Sequence, residues 1–205
     1  MCAKFIVITP PETGLQEVSH VQSMLERGIP TVHVRKPAFS PKDTEAYVIN
    51  FSEKYRSRLV LHQHHEIASR LKLGGIHYKE RDIPRTVKVA PGNLTTSVSY
   101  HTAEQLLECK GAVDYCFLSP IYSSISKQGY EPSKQLQDKS SLGAFIASSR
   151  APIVALGGIQ PSKFEEIADL GFQGVALLGC VWNEPDPVEA ASTALEAFKE
   201  APWFE

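Results

Sequence analysis

Eight short runs of apolar and β-branched residues recur along the chain, each followed by a turn. They occupy residues 4–9, 30–35, 58–62, 75–78, 94–99, 114–119, 152–157 and 174–179. Several of them, such as 152–157, are apolar at consecutive positions, which is typical of parallel strands buried on both faces. Eight such strands in a chain of 205 residues predict one α/β domain over residues 1–205, a (β/α)8 barrel.

Amphipathic segments lie between most of these runs, as the barrel requires. They occupy residues 15–28, 40–55, 101–111, 161–171 and 186–200. Pro161 and Gly171 stand where a helix would begin and end. Segment 81–92 contains two prolines and is expected to carry little helix. An open doubly wound sheet is the alternative architecture, but no GxGxxG motif follows any strand.

Charge and cysteine usage exclude several classes of protein. The net charge is −2 and the basic residues are scattered, so we expect no nucleic-acid partner. No apolar run approaches the roughly 18 residues of a membrane span, and none near Lys4 suits a signal peptide. The four cysteines show no CxxC spacing, which predicts free thiols and a cytoplasmic location.

The residues that follow the strands are the candidate functional residues, because barrel enzymes act at the C-terminal ends of their strands. These ends carry His33, Arg35, His62, Gln63, His77, Asp82, Ser99, His101, Gly157, Gly158, Gly179 and Cys180. Glycines after the seventh and eighth strands allow backbone N–H groups to approach a phosphate. Ser124, Ser126 and Lys127 add hydroxyls and an ammonium after the sixth strand. These segments together predict a phosphate site.

The order of these motifs is similar to that of the thiamine phosphate synthase and thiazole tautomerase family. The resemblance is carried by Arg35, Asp82, VSYH at 98–101, SPIYSSISK at 119–127, PIVALGGI at 152–159 and GFQGVALLG at 171–179. It implies a (β/α)8 barrel. For the synthase it implies joining a hydroxymethylpyrimidine pyrophosphate to a thiazole phosphate, with Mg²⁺ assistance and release of pyrophosphate. The tautomerase isomerises a thiazole carboxylate phosphate.

The resemblance also implies roles for individual residues. The thiazole phosphate would be held by Ser124, Ser126, Gly158, Leu178 and Gly179. The pyrophosphate would meet Arg35, Ser99 and Lys127, which stabilise the charge that grows on a leaving group. Asp82 matches one metal-binding carboxylate of the family, and Mg²⁺ prefers such oxygen ligands.

Several positions depart from the family pattern, among them His33, which stands where the family has glutamine. The Asn-Asp pair after the third strand reads His62-Gln63, so Gln63 offers the metal only a neutral oxygen and Mg²⁺ should bind weakly, with help from the substrate. Pro37 replaces a lysine. Pro120 replaces the histidine that the tautomerase uses as acid and base, a role that His33 or His62 could take over.

The synthase is the favoured interpretation, and three other classes stay open. They are a tautomerase, another phosphate-handling barrel such as a sugar-phosphate epimerase or an isomerase of tryptophan synthesis, and a non-catalytic phosphate binder. No second carboxylate is found for the acid–base pair of an epimerase.

Two sets of residues have structural interpretations. His62, His64 and His65 could bind a metal, but they cross from a strand end into a helix start. His77 is interpreted as a hydrogen-bonded core residue. The final APWFE segment is expected to cover the barrel floor or to form a contact in a homo-oligomer.

Overall fold

Eight parallel strands close into a barrel in chain order. The computed structural model describes residues 3–82, 94–102, 104–105, 113–123 and 133–204. The strands are β1 Lys4–Ile8, β2 Thr31–Val34, β3 Leu59–Leu61, β4 Gly75–Lys79, β5 Thr95–Tyr100, β6 Tyr115–Leu118, β7 Ile153–Leu156 and β8 Gly174–Leu177. Each predicted run overlaps one strand, so the barrel is confirmed and the doubly wound alternative is wrong.

Helices follow most strands on the outside of the barrel. They are α1 Glu17–Glu26, α2 Pro41–Ile49, α3 Glu53–Arg56, α4 Glu66–Arg70, α5 Lys134–Gln137, α6 Lys139–Ser148, α7 Phe164–Asp169, α8 Gly179–Trp182 and α9 Pro187–Glu200. Short 3₁₀ helices cover Glu80–Asp82, Pro161–Lys163 and Pro202–Phe204. Most of segments 81–92 and 101–111 lies outside the described residues. Among the helices that the structure describes, none is long and apolar enough to cross a membrane.

Alternation along each strand divides the core into two layers. Val32 and Val34 belong to the large apolar cluster beneath the helices, which also contains Met24 and Tyr47. His33, between the two valines, points to the opposite face and is fully buried inside the barrel. The strands therefore carry one set of side chains to the helices and another to the barrel interior.

The barrel interior has two chemically different sides. Six residues from β1, β6, β7 and β8 form a separate cluster, which we call the apolar wall: Ile6, Ile8, Tyr115, Phe117, Val154 and Ala176. Opposite it, β2 to β5 and the turn after β3 supply five polar residues, which we call the polar wall: His33, His62, His77, Ser97 and Ser99. Phe117 joins the two walls, since its ring lies 4.9 Å from that of His33 and 4.8 Å from that of His77.

A buried ion pair fastens the segment after β1 to the end of β2. The Lys36 ammonium donates to Glu17 Oε2 at 2.6 Å and to the carbonyl oxygens of Pro10 and Glu12 at 2.7 and 3.1 Å. Tyr47 donates to the other oxygen of Glu17 at 2.6 Å. Both partners of the pair are buried, so their charges depend on these bonds for compensation.

The final aromatic segment packs at the end of the barrel where β8 begins. The indole N–H of Trp203 donates to the carbonyl oxygen of Phe172, just before β8, at 2.6 Å. The ring of Trp203 lies 4.5 Å from that of Phe198 in α9. This position agrees with the expected cover of the barrel floor.

Candidate functional site

The ends of β6 and β7 lie in close contact at the C-terminal rim of the barrel. Ile121 donates its backbone N–H to Leu156 at 3.0 Å and Tyr122 donates to Gly157 at 3.1 Å, so pairing continues beyond both strands. Gly157 and Gly158 have φ of +91° and +66°. A Cβ on Gly158 would lie 2.4 Å from the carbonyl oxygen of Ser123. Only glycine suits this contact, which fixes the start of the predicted phosphate loop against β7.

The end of β8 turns directly into the short helix α8. Leu178 precedes it with φ −135° and ψ −77°, and Gly179 is its first residue. β7 and β8 pair through Leu156 and Ala176, so the glycine ends of the two strands are neighbours at the rim. Backbone N–H groups in a first helical turn have no partner within the helix and are suited to anions.

Arg35 follows β2 at the same rim. Its backbone N–H donates to the hydroxyl of Thr9 at 3.0 Å, which joins the ends of β1 and β2. Within the described ranges, its guanidinium has no carboxylate at ion-pair distance. Among the described residues no barrel carboxylate therefore holds Arg35, which leaves its charge to face a ligand.

Ser99 lies in β5 and is bonded to the barrel interior. Its hydroxyl is 2.7 Å from Nε2 of His77, while Ser97 lies 2.8 Å from Nδ1 of the same ring. Both nitrogens of the buried His77 are thus satisfied, as expected for a hydrogen-bonded core histidine. Ser99 also connects that ring to the rim.

His33 was expected at the rim, but its side chain lies inside the barrel with no exposed surface. Nδ1 of His33 is 3.0 Å from Nε2 of the half-buried His62, and Nε2 of His33 is 2.7 Å from the hydroxyl of Tyr115. His62 stacks on His77 with 4.2 Å between ring centroids. The three imidazoles therefore form one cluster that begins near the rim and extends inward.

Burial keeps this histidine cluster uncharged. Loss of hydration lowers the pKa of His77 to about 3, with a smaller contribution from the charge of His65. Burial and the neighbouring His77 also lower the pKa of His33 and of His62 well below the usual value. Neutral imidazoles are both hydrogen-bond partners and metal ligands.

The two predicted magnesium ligands lie after adjacent strands. Asp82 is in the 3₁₀ helix after β4, with an exposed carboxylate 3.7 Å from Nε of Arg81. Gln63 follows β3 and donates its amide N–H to the carbonyl oxygen of Lys36. One carboxylate and one neutral amide oxygen fit Mg²⁺ only if a ligand supplies further oxygens.

His64 and His65 do not join His62 in a metal site. The Nε2 atoms of His64 and His65 lie 2.8 Å from the carbonyl oxygen of Phe39 and 3.0 Å from that of His77, respectively. The set that converges is instead His33, His62 and His77. Sequence reasoning missed this set, although the position of His33 between two outward-facing valines is a signal that it faces inward.

His101 is a rim histidine that sequence reasoning did not assign to a role. It follows β5, and its Nδ1 lies 3.0 Å from the carbonyl oxygen of Ser119. The hydroxyl of Ser119 lies 3.4 Å from the same nitrogen. His101 therefore stands beside Pro120.

Three predicted residues, Ser124, Ser126 and Lys127, lie outside the described residues. The described part of their loop ends at Ser123, against Gly158. Of the cysteines that the structure describes, Cys116 is buried in β6 and Cys180 is partly buried in α8, and both are thiols rather than half-cystines. Burial raises the pKa of the Cys180 thiol to about 11.

Comparisons with known proteins agree with this geometry. The family model described as thiamine monophosphate synthase matches residues 5–181. A thiamine-phosphate synthase of Bacteroides fragilis is 27% identical over 196 residues, covering 92% of this chain and 96% of that protein. One from Dictyoglomus turgidum is 27% identical over 201 residues, covering 93% and 88%. The crystal structure of thiamine phosphate pyrophosphorylase from Bacteroides thetaiotaomicron is 26% identical, covers 96% of this chain and 98% of that chain, and has a TM-score of 0.78.

Proposed function

Because the chain belongs to the thiamine monophosphate synthase family, we propose that it is a transferase that makes thiamine phosphate. In this reaction the bond between the pyrimidine methylene and pyrophosphate breaks, and the methylene is joined to a thiazole phosphate. The observation that carries the proposal is the close contact of Gly158 with Ser123, at the start of the loop that contains Lys127.

The thiazole phosphate is bound at the adjoining ends of β6, β7 and β8. The backbone of Gly158 has no side chain to keep a phosphate away. Leu178 and Gly179 supply first-turn N–H groups, and Ser124 and Ser126 supply hydroxyls. This arrangement is supported by the pairing that places Tyr122 on Gly157 and by the register of β7 with β8.

The pyrophosphate is bound by Arg35, Ser99 and Lys127. Its charge increases as the bond to the methylene breaks, so fixed cations and donors stabilise the transition state more than the substrate. The absence of a carboxylate partner for Arg35, among the described residues, supports this role. His33 does not reach the rim, since its side chain is fully buried and bonded to His62, so it makes no direct contact with the pyrophosphate.

Asp82 and the pyrophosphate oxygens would hold Mg²⁺, with Gln63 contributing at most a neutral oxygen. When bound, the ion neutralises part of the charge of the leaving group. Since Mg²⁺ is held by few protein oxygens, its binding and that of pyrophosphate should strengthen each other by the same factor. Titration of Mg²⁺ with and without pyrophosphate tests this coupling.

The synthase proposal is tested by measuring pyrophosphate release with both substrates and Mg²⁺. Arg35→Ala and Lys127→Ala should each lower kcat/KM by at least about tenfold, since each removes a cation that stabilises the charge of the leaving group. Lys72→Ala is the matched control, because exposed Lys72 precedes β4 at the opposite end of the barrel. Absence of pyrophosphate release from the folded protein at saturating substrates would rule out the synthase.

The tautomerase is the second candidate, and the position of His101 favours it. The imidazole beside Pro120 could move the proton that isomerisation of a thiazole carboxylate phosphate requires. The same protein should be assayed with that compound. Isomerisation that depends on His101, without pyrophosphate release from the two synthase substrates, would favour the tautomerase over the synthase.

A further inference from the structure

The histidine cluster of the polar wall has the composition of a metal centre. His33, His62 and His77 each offer a ring nitrogen, and these three atoms lie within 4.8 Å of one another. They come from β2, the turn after β3, and β4, which are hydrogen-bonded neighbours in the barrel. We propose that these three imidazoles bind a divalent transition-metal ion of the Zn²⁺ class.

The separation of the nitrogens suits a tetrahedral ion. Zn–N bonds of about 2.0–2.1 Å place two ligand nitrogens roughly 3.3 Å apart. Nδ1 of His33 and Nε2 of His62 are 3.0 Å apart, joined by a single shared proton. An ion takes the place of that proton when both rings turn so that their lone pairs converge on it. His77 supplies the third nitrogen, Nε2, in exchange for its bond with the hydroxyl of Ser99.

Partners for the outer nitrogens are already in place. Nε2 of His33 lies 2.7 Å from the hydroxyl of Tyr115, and Nδ1 of His77 lies 2.8 Å from that of Ser97. Histidine ligands usually donate their second N–H to such a group, which fixes the ring and its tautomer. The cluster thus has both the inner nitrogens and the outer supports of a histidine-bound metal.

The site has an open side that faces the rim. His62 is half-buried, and Ser99 lies near the rim end of β5. Three neutral imidazoles do not cancel the charge of the ion, and among the described residues no carboxylate belongs to the group. The fourth position therefore suits water or an anionic oxygen, as in three-histidine zinc sites. The magnesium position proposed at Asp82 is separate and involves oxygen ligands.

The test uses the full chain, freed of metal by a chelator and titrated with Co²⁺ and then Zn²⁺. Co²⁺ should bind at one equivalent and give the d–d absorption of a tetrahedral site without a thiolate charge-transfer band. Zn²⁺ should displace it. His62→Gln and His77→Gln should each weaken binding by at least about tenfold, while His64→Gln, whose ring bonds the Phe39 carbonyl, should leave it unchanged.

Tyr115→Phe provides a variant that keeps all three ligands. Losing the hydroxyl that supports His33 should weaken Co²⁺ binding by about tenfold. X-ray absorption of the Zn²⁺-loaded parent, which needs no variant, should show three imidazoles. Stoichiometric binding that survives both histidine substitutions, an absence of binding, or a spectrum without imidazole ligands would each overturn the proposal.

Discussion

The apolar wall and the polar wall each fill half of the barrel interior, but with side chains of different chemistry. The apolar wall fills its half with Ile6, Ile8, Phe117, Val154 and Ala176. Its stability depends on how well the volumes and shapes of these side chains fit together. The polar wall fills the other half with three imidazoles and two serine hydroxyls. Its stability depends on every donor having an acceptor. The comparison indicates that the polar wall is the half whose stability depends on hydrogen bonding and protonation.

Truncation in the apolar wall should have the largest effect on stability. Phe117 is fully buried and contacts both walls, so Phe117→Ala should lower the free energy of unfolding by about 3–5 kcal/mol. Urea denaturation measures the loss. Ile49→Ala is the control, because Ile49 is 54% exposed and should change stability by less than about 0.5 kcal/mol. Equal effects of the two substitutions would contradict the assignment of Phe117 to the core.

Loss of one hydroxyl in the polar wall should have a smaller effect. Ser97→Ala leaves Nδ1 of the buried His77 without its partner, which should cost about 1–3 kcal/mol. Ser148→Ala removes a hydroxyl that bonds a carbonyl on the exposed surface of α6 and should cost less. If Ser97→Ala is neutral in urea denaturation, hydrogen bonding does not control this wall.

Low pH should destabilise the protein through His77 in the polar wall, while the apolar wall has no histidine to titrate. The pKa of His77 is about 3 in the folded protein and 6.5 in a solvated chain, so between these values the unfolded chain binds a proton that the folded chain does not. Stability should therefore fall as pH falls below 6.5, by up to about 1.4 kcal/mol per pH unit for this group. Urea denaturation of metal-free protein at several pH values should show a shallower decline for His77→Gln. Identical declines would mean that His77 titrates normally.

The strands were predictable because each is a short apolar run between polar turns. The run at 152–157 contains β7 Ile153–Leu156, and the run at 174–179 contains β8 Gly174–Leu177. α6 Lys139–Ser148 was missed, since its serines and Gly143 weaken the helical pattern. Asp138, which accepts from the N–H groups of Ser140 and Ser141, is the cap that could have indicated its start.

The candidate site was only partly predictable, because distances across a barrel depend on strand register. The neighbouring glycine ends of β7 and β8 could be placed from chain order alone. The convergence of His33 with His62 and His77 could not, since these residues are 29 and 44 positions from His33 along the chain. Their contact follows from β2 pairing with β3 and β3 with β4. Sequence alone does not give that register.

The buried ammonium of Lys36 can report local opening of the segment after β1, because an amine reagent reaches it only when that segment opens. With 1% of its side chain exposed and three oxygens around its nitrogen, Lys36 cannot meet an amine reagent while the segment after β1 is closed. Modification at this position therefore requires an opening that separates the segment from the end of β2. Its labelling rate therefore measures how often this segment opens, in addition to any global unfolding.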